Sequence, residues 1–276
     1  MTQSKPNPLC HAGSPTTLRM GSGTVLVHRL DATRSTNDLA RTWLTDHAAP
    51  VPAAWIAGIQ TAGRGTRGRS WASPEGGLWM SLAMPVADPA AGVLPGLGLR
   101  VGVAAVRAVR ESLPERAASE VVLRWPNDLV VARPGAGVRK IGGMLVECAP
   151  HGIVVGLGIN VNNSPPATDD AGRALRTPPV SVAELAGEDL VLDRLAECLL
   201  GHLTDLIPVP GLPTNLFREI EGLLHRPDSG VQVTGRDGRM YSGLIRGVSE
   251  HPDSLGALLL EQPNGDVMRV VSGDLS

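Results

Sequence analysis

A glycine spacing associated with dinucleotide-binding folds occurs here in a context that argues against such a fold. Gly63, Gly65 and Gly68 in "GIQTAGRGTRGRSW" have the G-x-G-x-x-G spacing, but that turn needs a strand before it and a helix opening after it. The apolar "AAWIAGI" supplies the strand. The "SWASPEGG" that follows cannot supply the helix, because Pro74 and the pair Gly76–Gly77 break one. Arg64, Arg67 and Arg69 also crowd a turn that a pyrophosphate site keeps small. A strand running into a mobile, arginine-bearing loop remains. Such a loop reads either as a solvated basic turn or as an anion clamp, since guanidinium groups offer paired donors to phosphate or carboxylate.

The segments around the loop set the fold class. Residues 1 to about 22 lack an apolar period and read as a disordered tail. "TVLVHRLDAT" reads as a strand and "STNDLARTWL" as a helix capped by Ser35 or Thr36. "GLWMSLAMP" is a further strand, and "GLGLRVGVAAVRAVRESL" a long helix in which Gly98 and Gly102 admit a close neighbour. "EVVLRWPNDLVV", "RKIGGMLVECAP" and "GIVVGLGINVN" read as three successive strands, hence an antiparallel or mixed sheet. Ser181 and Glu184 have capping-box spacing, and helices are expected at 190–207 and 213–224. From about Arg226 the chain turns to short strands and Gly-rich turns, with hairpin signals at Asp237-Gly238 and Asn264-Gly265. The expected organisation is a tail (1–22), an α+β body (23–225) and a small β-barrel (226–276).

Composition narrows the chemistry. The 276 residues are 42% hydrophobic and carry a net charge of −2, which suits a globular protein and not bulk nucleic-acid binding. Three scattered cysteines without C-x-x-C or H-E-x-x-H patterns argue against structural zinc and for a reducing, cytoplasmic setting. No apolar run is long enough for a signal peptide or a membrane span. There is no G-x-S-x-G elbow and no P-loop. The histidines, His28 and His47 among them, read as surface or core residues. Lysine occurs only at Lys5 and Lys140, so Lys140 is the one lysine of the expected body. Cations and glycines without a nucleophile suit a reaction whose substrates bring their own, such as a carboxylate attacking the α-phosphate of ATP. Fixed positive charge would then offset the repulsion between two anions. Trp71 and Trp125 flank the polar segments; each could be core, and Trp71 is the better placed to stack on a base, a contact worth about 1–3 kcal/mol. Asn160 reads either as a strand-end turn residue or as a reader of an adenine edge.

Taken in order, "STN" (35–37), "QTAGRGTRGRSW" (60–71), "RWPND" (124–128), "RKIGGMLVE" (139–147) and "GLGIN" (156–160) resemble the biotin protein ligases, also called biotin–[acetyl-CoA-carboxylase] ligases, from about residue 24 to the C-terminus. The resemblance implies a class II synthetase-like catalytic domain with an SH3-like C-terminal barrel. It implies ATP, Mg²⁺ and biotin as reactants and cofactors, biotinyl-5′-AMP as intermediate, and the lysine of a biotin carboxyl carrier protein as acceptor. It assigns biotin to Ser35, Thr36, Asn37, Gln60, Arg64, Gly65, Thr66 and Lys140. The nucleotide goes to Arg67, Arg69, Trp71, Asn127, Lys140 and Asn160, and catalysis to Arg64, Lys140, Asn127 and Asp128. Metal is expected only through the ATP phosphates. One departure stands out: many members have a second arginine where this chain has Thr66, a position that helps retain the adenylate, so a weaker hold is expected unless Arg67 or Arg69 compensates. A lipoate ligase shares the fold and the adenylation logic and is the nearest alternative. A DNA-binding repressor is disfavoured, because about 22 residues before the first strand are too few for a helix-turn-helix domain. Neither specific DNA nor a membrane is an expected partner, and the chain is expected as a monomer or homodimer.

Overall fold

The computed structural model describes residues 14–20, 23–46, 51–86, 96–133, 135–169, 171–209, 211–235 and 238–275. The chain runs β1 (Thr16–Met20), β2 (Gly23–Thr33), α1 (Thr36–Asp46), β3 (Ala53–Gln60), β4 (Leu78–Pro85), α2 (Leu97–Glu111), α3 (Glu115–Ser119), β5 (Val121–Arg124), β6 (Asp128–Arg133), β7 (Gly137–Ala149) and β8 (Gly152–Ile159). It continues with α4 (Val182–Ala186), α5 (Leu192–Leu206), α6 (Thr214–Leu223), β9 (Val231–Gly235), β10 (Met240–Val248), β11 (Leu258–Glu261), β12 (Val267–Val270) and β13 (Gly273–Leu275).

An eight-stranded sheet has the order β1-β2-β3-β4-β8-β7-β6-β5. The sheet is mixed, because β2 and β3 run parallel across α1 while the other pairs are antiparallel. A second, five-stranded antiparallel sheet has the order β12-β11-β10-β9-β13.

Strand alternation divides the large sheet into two faces. Val25 and Val27, Leu78, Met80 and Leu82, and Ile153, Val155 and Leu157 point to one side, where α2, α5 and α6 cover them. The same core takes in Val233, Ile245, Leu258 and Leu260 of the second sheet, so one apolar cluster joins the two sheets. Leu30, Trp55, Ala57, Ala83 and Val154 point to the other side, under Ala40 and Leu44 of α1. Those helix positions recur every four residues, the spacing of one helical face. Among the described residues, α1 is the helix that covers this second face of the sheet's central strands, beside which the polar segments gather.

Several expectations need correction. The tail was expected to run to residue 22, but Thr16–Met20 is a strand paired with β2 from Thr16↔Val27 to Met20↔Gly23. Its alternation is too short to signal a strand without that partner. Residues 1–13 and His47 lie outside the described residues. The segment "EVVLRWPNDLVV" is not one strand but two, turning at residues 125–127 so that Arg124 faces Asp128. Pro126 lacks a ladder donor and breaks the run. Of the two small residues in α2, only Gly102 is a close approach, since a Cβ there would lie 2.8 Å from Leu123 Cδ2. Ser181 does cap α4, accepting from the Glu184 amide at 3.3 Å. No helix among the described residues is long and apolar enough to cross a membrane.

Candidate functional site

The site begins with a chain of small polar groups where α1, β3 and β4 meet. Gln60, ending β3, accepts through Oε1 from the Thr36 amide (2.9 Å) and hydroxyl (3.1 Å). The Thr36 hydroxyl also lies 2.6 Å from Ser81 Oγ, a contact in which either hydroxyl can be the donor, and Ser81 Oγ lies 2.5 Å from the acceptor Asn37 Oδ1. Asn37 Nδ2 then donates to Glu147 Oε2 of β7 at 3.1 Å. In the other direction, Gln60 Nε2 donates to Ser73 Oγ, which donates to the Trp71 carbonyl. Ser35, Thr36, Asn37 and Ser81 are all buried. Buried polar groups of this kind are costly unless paired, so the chain fixes each rotamer. Asn37 fits only because residue 156 is glycine, since a Cβ there would lie 2.1 Å from Asn37 Oδ1.

Glu147 closes this end. Its Oε1 is 2.6 Å from Arg64 Nη2 and 2.9 Å from Arg41 Nη2, and Arg64 Nη1 also meets Asp38 at 2.8 Å. Burial draws the Arg64 proton affinity down, but Asp38 and Glu147 outweigh it and hold the guanidinium above the usual arginine range. The arginine loop itself is closed by the Gly65 amide on the Arg69 carbonyl (2.7 Å) and the Trp71 amide on the Gly63 carbonyl (2.9 Å). Arg67 has left-handed backbone angles (φ 59°, ψ 33°), uncommon for a residue with a side chain. Its guanidinium donates to the Thr234 carbonyl of β9 at 3.2 Å. Arg69 folds back on Thr66, donating to its carbonyl (3.3 Å) and its hydroxyl (3.1 Å).

At the loop's end Trp71 lies across the sheet. A Cβ on Gly158 of β8 would meet its Nε1 at 2.5 Å, and one on Gly143 of β7 would meet its ring at 3.6 Å. The indole N–H is buried with no hydrogen-bond partner among the described residues. Lys140 Nζ stands 5.0 Å from the ring centroid and donates to Asp128 Oδ1 at 2.5 Å. Strict alternation would send Lys140 to the Met144 side, into the α2 core. The register instead shifts between Leu129/Val130 of β6 and β7, leaving Ile141 as the extra residue. That bulge turns Lys140 to the Gly143 side, with Cε 3.5 Å from where a Gly143 Cβ would be.

One face of β7 thus carries Lys140, Gly143 and Glu147. Lys140 and Arg64 lie on this same side but not side by side. Arg64 sits at Glu147, seven residues along β7 from Lys140, but the ammonium reaches back to Gly143, which leaves about four residues, or roughly 13 Å at about 3.3 Å per residue, between the two charges. Asn127 holds the β5–β6 turn to β7, donating to the Met144 carbonyl at 2.9 Å and accepting from the Met144 amide at 2.9 Å. Asn160 is buried at the end of β8, where its amide bonds the Ile141 carbonyl (2.9 Å) and its Oδ1 accepts from Asn163 (3.2 Å). Trp125 is core, 3% exposed with Nε1 on the Gly256 carbonyl. His28 is packed rather than catalytic, stacked on Trp55 at 5.0 Å with Trp43 edge-on at 6.1 Å. Sequence reasoning did not single out Ser81, Glu147, Asp38 or Arg41. Ser81 had a legible signal, as the only hydroxyl in the otherwise apolar strand "LWMSLAMP".

Comparison with known proteins gives a consistent result. The biotin/lipoate A/B protein ligase family matches residues 30–162. A biotin–[acetyl-CoA-carboxylase] ligase of Paracoccus denitrificans is 31% identical over 226 residues, covering 77% of this chain and 85% of that protein. The bifunctional ligase/repressor BirA of Bacillus subtilis is 29% identical over 242 residues, covering 84% of this chain and 68% of that protein. The solved biotin protein ligase of Aquifex aeolicus, in complex with biotin and ATP, is similar in fold with a TM-score of 0.70. Its identity is 24%, and the match covers 91% of this chain and 97% of that one.

Proposed function

The chain belongs to the biotin protein ligases of the biotin/lipoate A/B protein ligase family, and from that membership we propose how its site divides the work. The protein is a biotin–[acetyl-CoA-carboxylase] ligase: it activates biotin with ATP and transfers the biotinyl group to a carboxylase. In activation a carboxylate oxygen attacks the α-phosphorus, and the bond to the β-phosphate oxygen breaks to release pyrophosphate. In transfer the amine of a carrier lysine attacks the acyl carbon, AMP leaves, and the amine gives up a proton to solvent.

The polar group Ser35, Thr36, Asn37 and Gln60 receives the polar head of biotin, with Thr36, Asn37 and Gln60 already held by their hydrogen bonds. Lys140 meets the reacting oxygens. As a compact charge held by one carboxylate, it can turn from Asp128 toward phosphate without a new fold. Trp71 covers the adenine and Asn160 bonds it. The unpartnered indole N–H supports a shift of this ring on binding, because it loses no hydrogen bond when it leaves the glycine shelf. Arg64 already binds two carboxylates, Asp38 and Glu147, so taking the substrate's carboxylate is an exchange of like partners, made as the loop carries the guanidinium from Glu147 toward Lys140. Arg69, folded on Thr66, is the loop cation best placed to offset the missing second arginine, whereas Arg67 is engaged with β9.

Mg²⁺ neutralises triphosphate charge when bound. The donors near Lys140 fit a cation that arrives on the phosphates, since Asp128 supplies a carboxylate there and Asn127 Nδ2 is spent on Met144. We read residues 226–276 as an SH3-like unit that supports the loop through Thr234. The acceptor is a biotin carboxyl carrier domain.

The observation that carries this reading is Lys140 turned by the β7 bulge onto the face that holds Trp71 and the polar chain. The test is ATP–pyrophosphate exchange with biotin or lipoate as the acid, followed by mass spectrometry of a carrier domain. Exchange with biotin and one biotinylated carrier lysine are expected. Exchange with lipoate alone would establish the other branch of the family, and exchange with neither acid would refute an adenylating ligase.

A further inference from the structure

Away from this site, a second cluster of chemically capable side chains stands where the end of α2 meets α5. Cys198 and His202 are four residues apart on α5, so they share one helical face. Glu111, the last residue of α2, faces both. Its Oε2 accepts from Cys198 Sγ at 3.0 Å and its Oε1 lies 2.8 Å from His202 Nε2. The three donor atoms all lie within 4.8 Å of one another. Cys198 and His202 are partly buried and Glu111 is exposed, so a cation has a path in from solvent.

We propose that Glu111, Cys198 and His202 form a site for a divalent transition metal of the zinc class, with solvent completing the coordination. The donor set is a thiolate, an imidazole and a carboxylate, which is zinc's ligand chemistry and not that of magnesium or calcium. In a tetrahedral site, zinc–ligand bonds of about 2.0–2.3 Å place neighbouring donors about 3.5 Å apart. The gathered atoms lie between 2.8 and 4.8 Å apart, a range that brackets that spacing. On coordination the Cys198 thiol loses its proton to solvent and the Glu111 contacts to Sγ and Nε2 are replaced by bonds to the metal. Without a cation, burial and the Glu111 carboxylate push the thiol up to about 12, so it remains a hydrogen-bond donor. Nothing in the ligase chemistry uses these residues, and the metal would act as a staple between α2 and α5.

The test is to titrate chelator-treated full-length protein with cobalt(II), then compete with zinc(II). One equivalent of cobalt with a thiolate-to-cobalt charge-transfer band is expected, displaced by zinc and accompanied by a raised melting temperature. Cys198→Ser should abolish the band, and His202→Ala should weaken binding by at least about tenfold. Absence of the band, or a band that survives Cys198→Ser and so belongs to another cysteine, would overturn the proposal. Should Cys198→Ser fail to fold, Glu111→Gln serves instead: at least about tenfold weaker cobalt binding supports the site, and unchanged affinity overturns it.

Discussion

Replacing Lys140 by alanine perturbs the site at its most informative point. The ammonium lies 2.5 Å from Asp128 and 5.0 Å from the Trp71 ring, with both members of the ion pair about three-quarters shielded from solvent. Two losses follow. The charge-assisted contact that we propose Lys140 makes to the reacting oxygens disappears, worth about 1.5–3 kcal/mol. At about 1.4 kcal/mol per factor of ten, that alone slows activation roughly 10- to 150-fold. The substitution also leaves Asp128 without its partner, facing an incoming polyanion. Two unit charges about 4 Å apart repel by about 4 kcal/mol at an effective dielectric near 20, so this second effect is of comparable size. The two are separable. Lys140→Ala should lose at least about a hundredfold in biotin-dependent ATP–pyrophosphate exchange, and Lys140→Ala/Asp128→Asn should recover part of that loss. Lys140→Arg should fall between, because the fork keeps the charge but not the compact geometry. A folded Lys140→Ala protein exchanging within about threefold of the parent would refute the role of Lys140. A double variant no better than the single would refute the claim that Asp128 faces the nucleotide.

Other substitutions probe other links. Gly156→Ala places a methyl 2.1 Å from Asn37 Oδ1; such overpacking costs about 1–3 kcal/mol. It should lower the melting temperature by several degrees and raise the KM for biotin, and an unchanged KM would separate the polar chain from biotin binding. Thr66→Arg should slow release of biotinyl-5′-AMP several-fold in a rapid-dilution assay, and equal release rates would show that Arg69 already supplies the missing charge. His28 is depressed below its ordinary 6.5 by burial, and His225 by burial and then Arg124. Both therefore fold neutral, and their contribution is fully present above about pH 6.5 and fades as pH falls through the lower folded values. Urea midpoints should drop on acidification below about pH 6.5, and less steeply in His28→Phe; identical slopes would remove His28 as a cause.

The order of elements was legible where periodicity is strong. The long apolar helix, the strands around the arginine loop, the capped α4 and the hairpins of the C-terminal sheet all follow from local residue pattern. Pro126 should have split the "RWPND" strand, and the apolar residues on either side masked it. Strand β1 could not be read, because five mixed residues become a strand only against a partner.

The sequence alone determined the chemistry: a lone body lysine, three loop arginines, a tryptophan and a row of small polar residues, with no nucleophile. The residue types set that, because charge and hydrogen-bonding capacity belong to the side chain. Which groups meet was decided only in three dimensions. Alternation along β7 would have buried Lys140 beside Met144, and one extra residue opposite β6 turned it to the site instead. Asp38 and Glu147 reach Arg64 only because α1 packs across the sheet. Facing and pairing depend on register and on partners distant in sequence, and a local pattern contains neither.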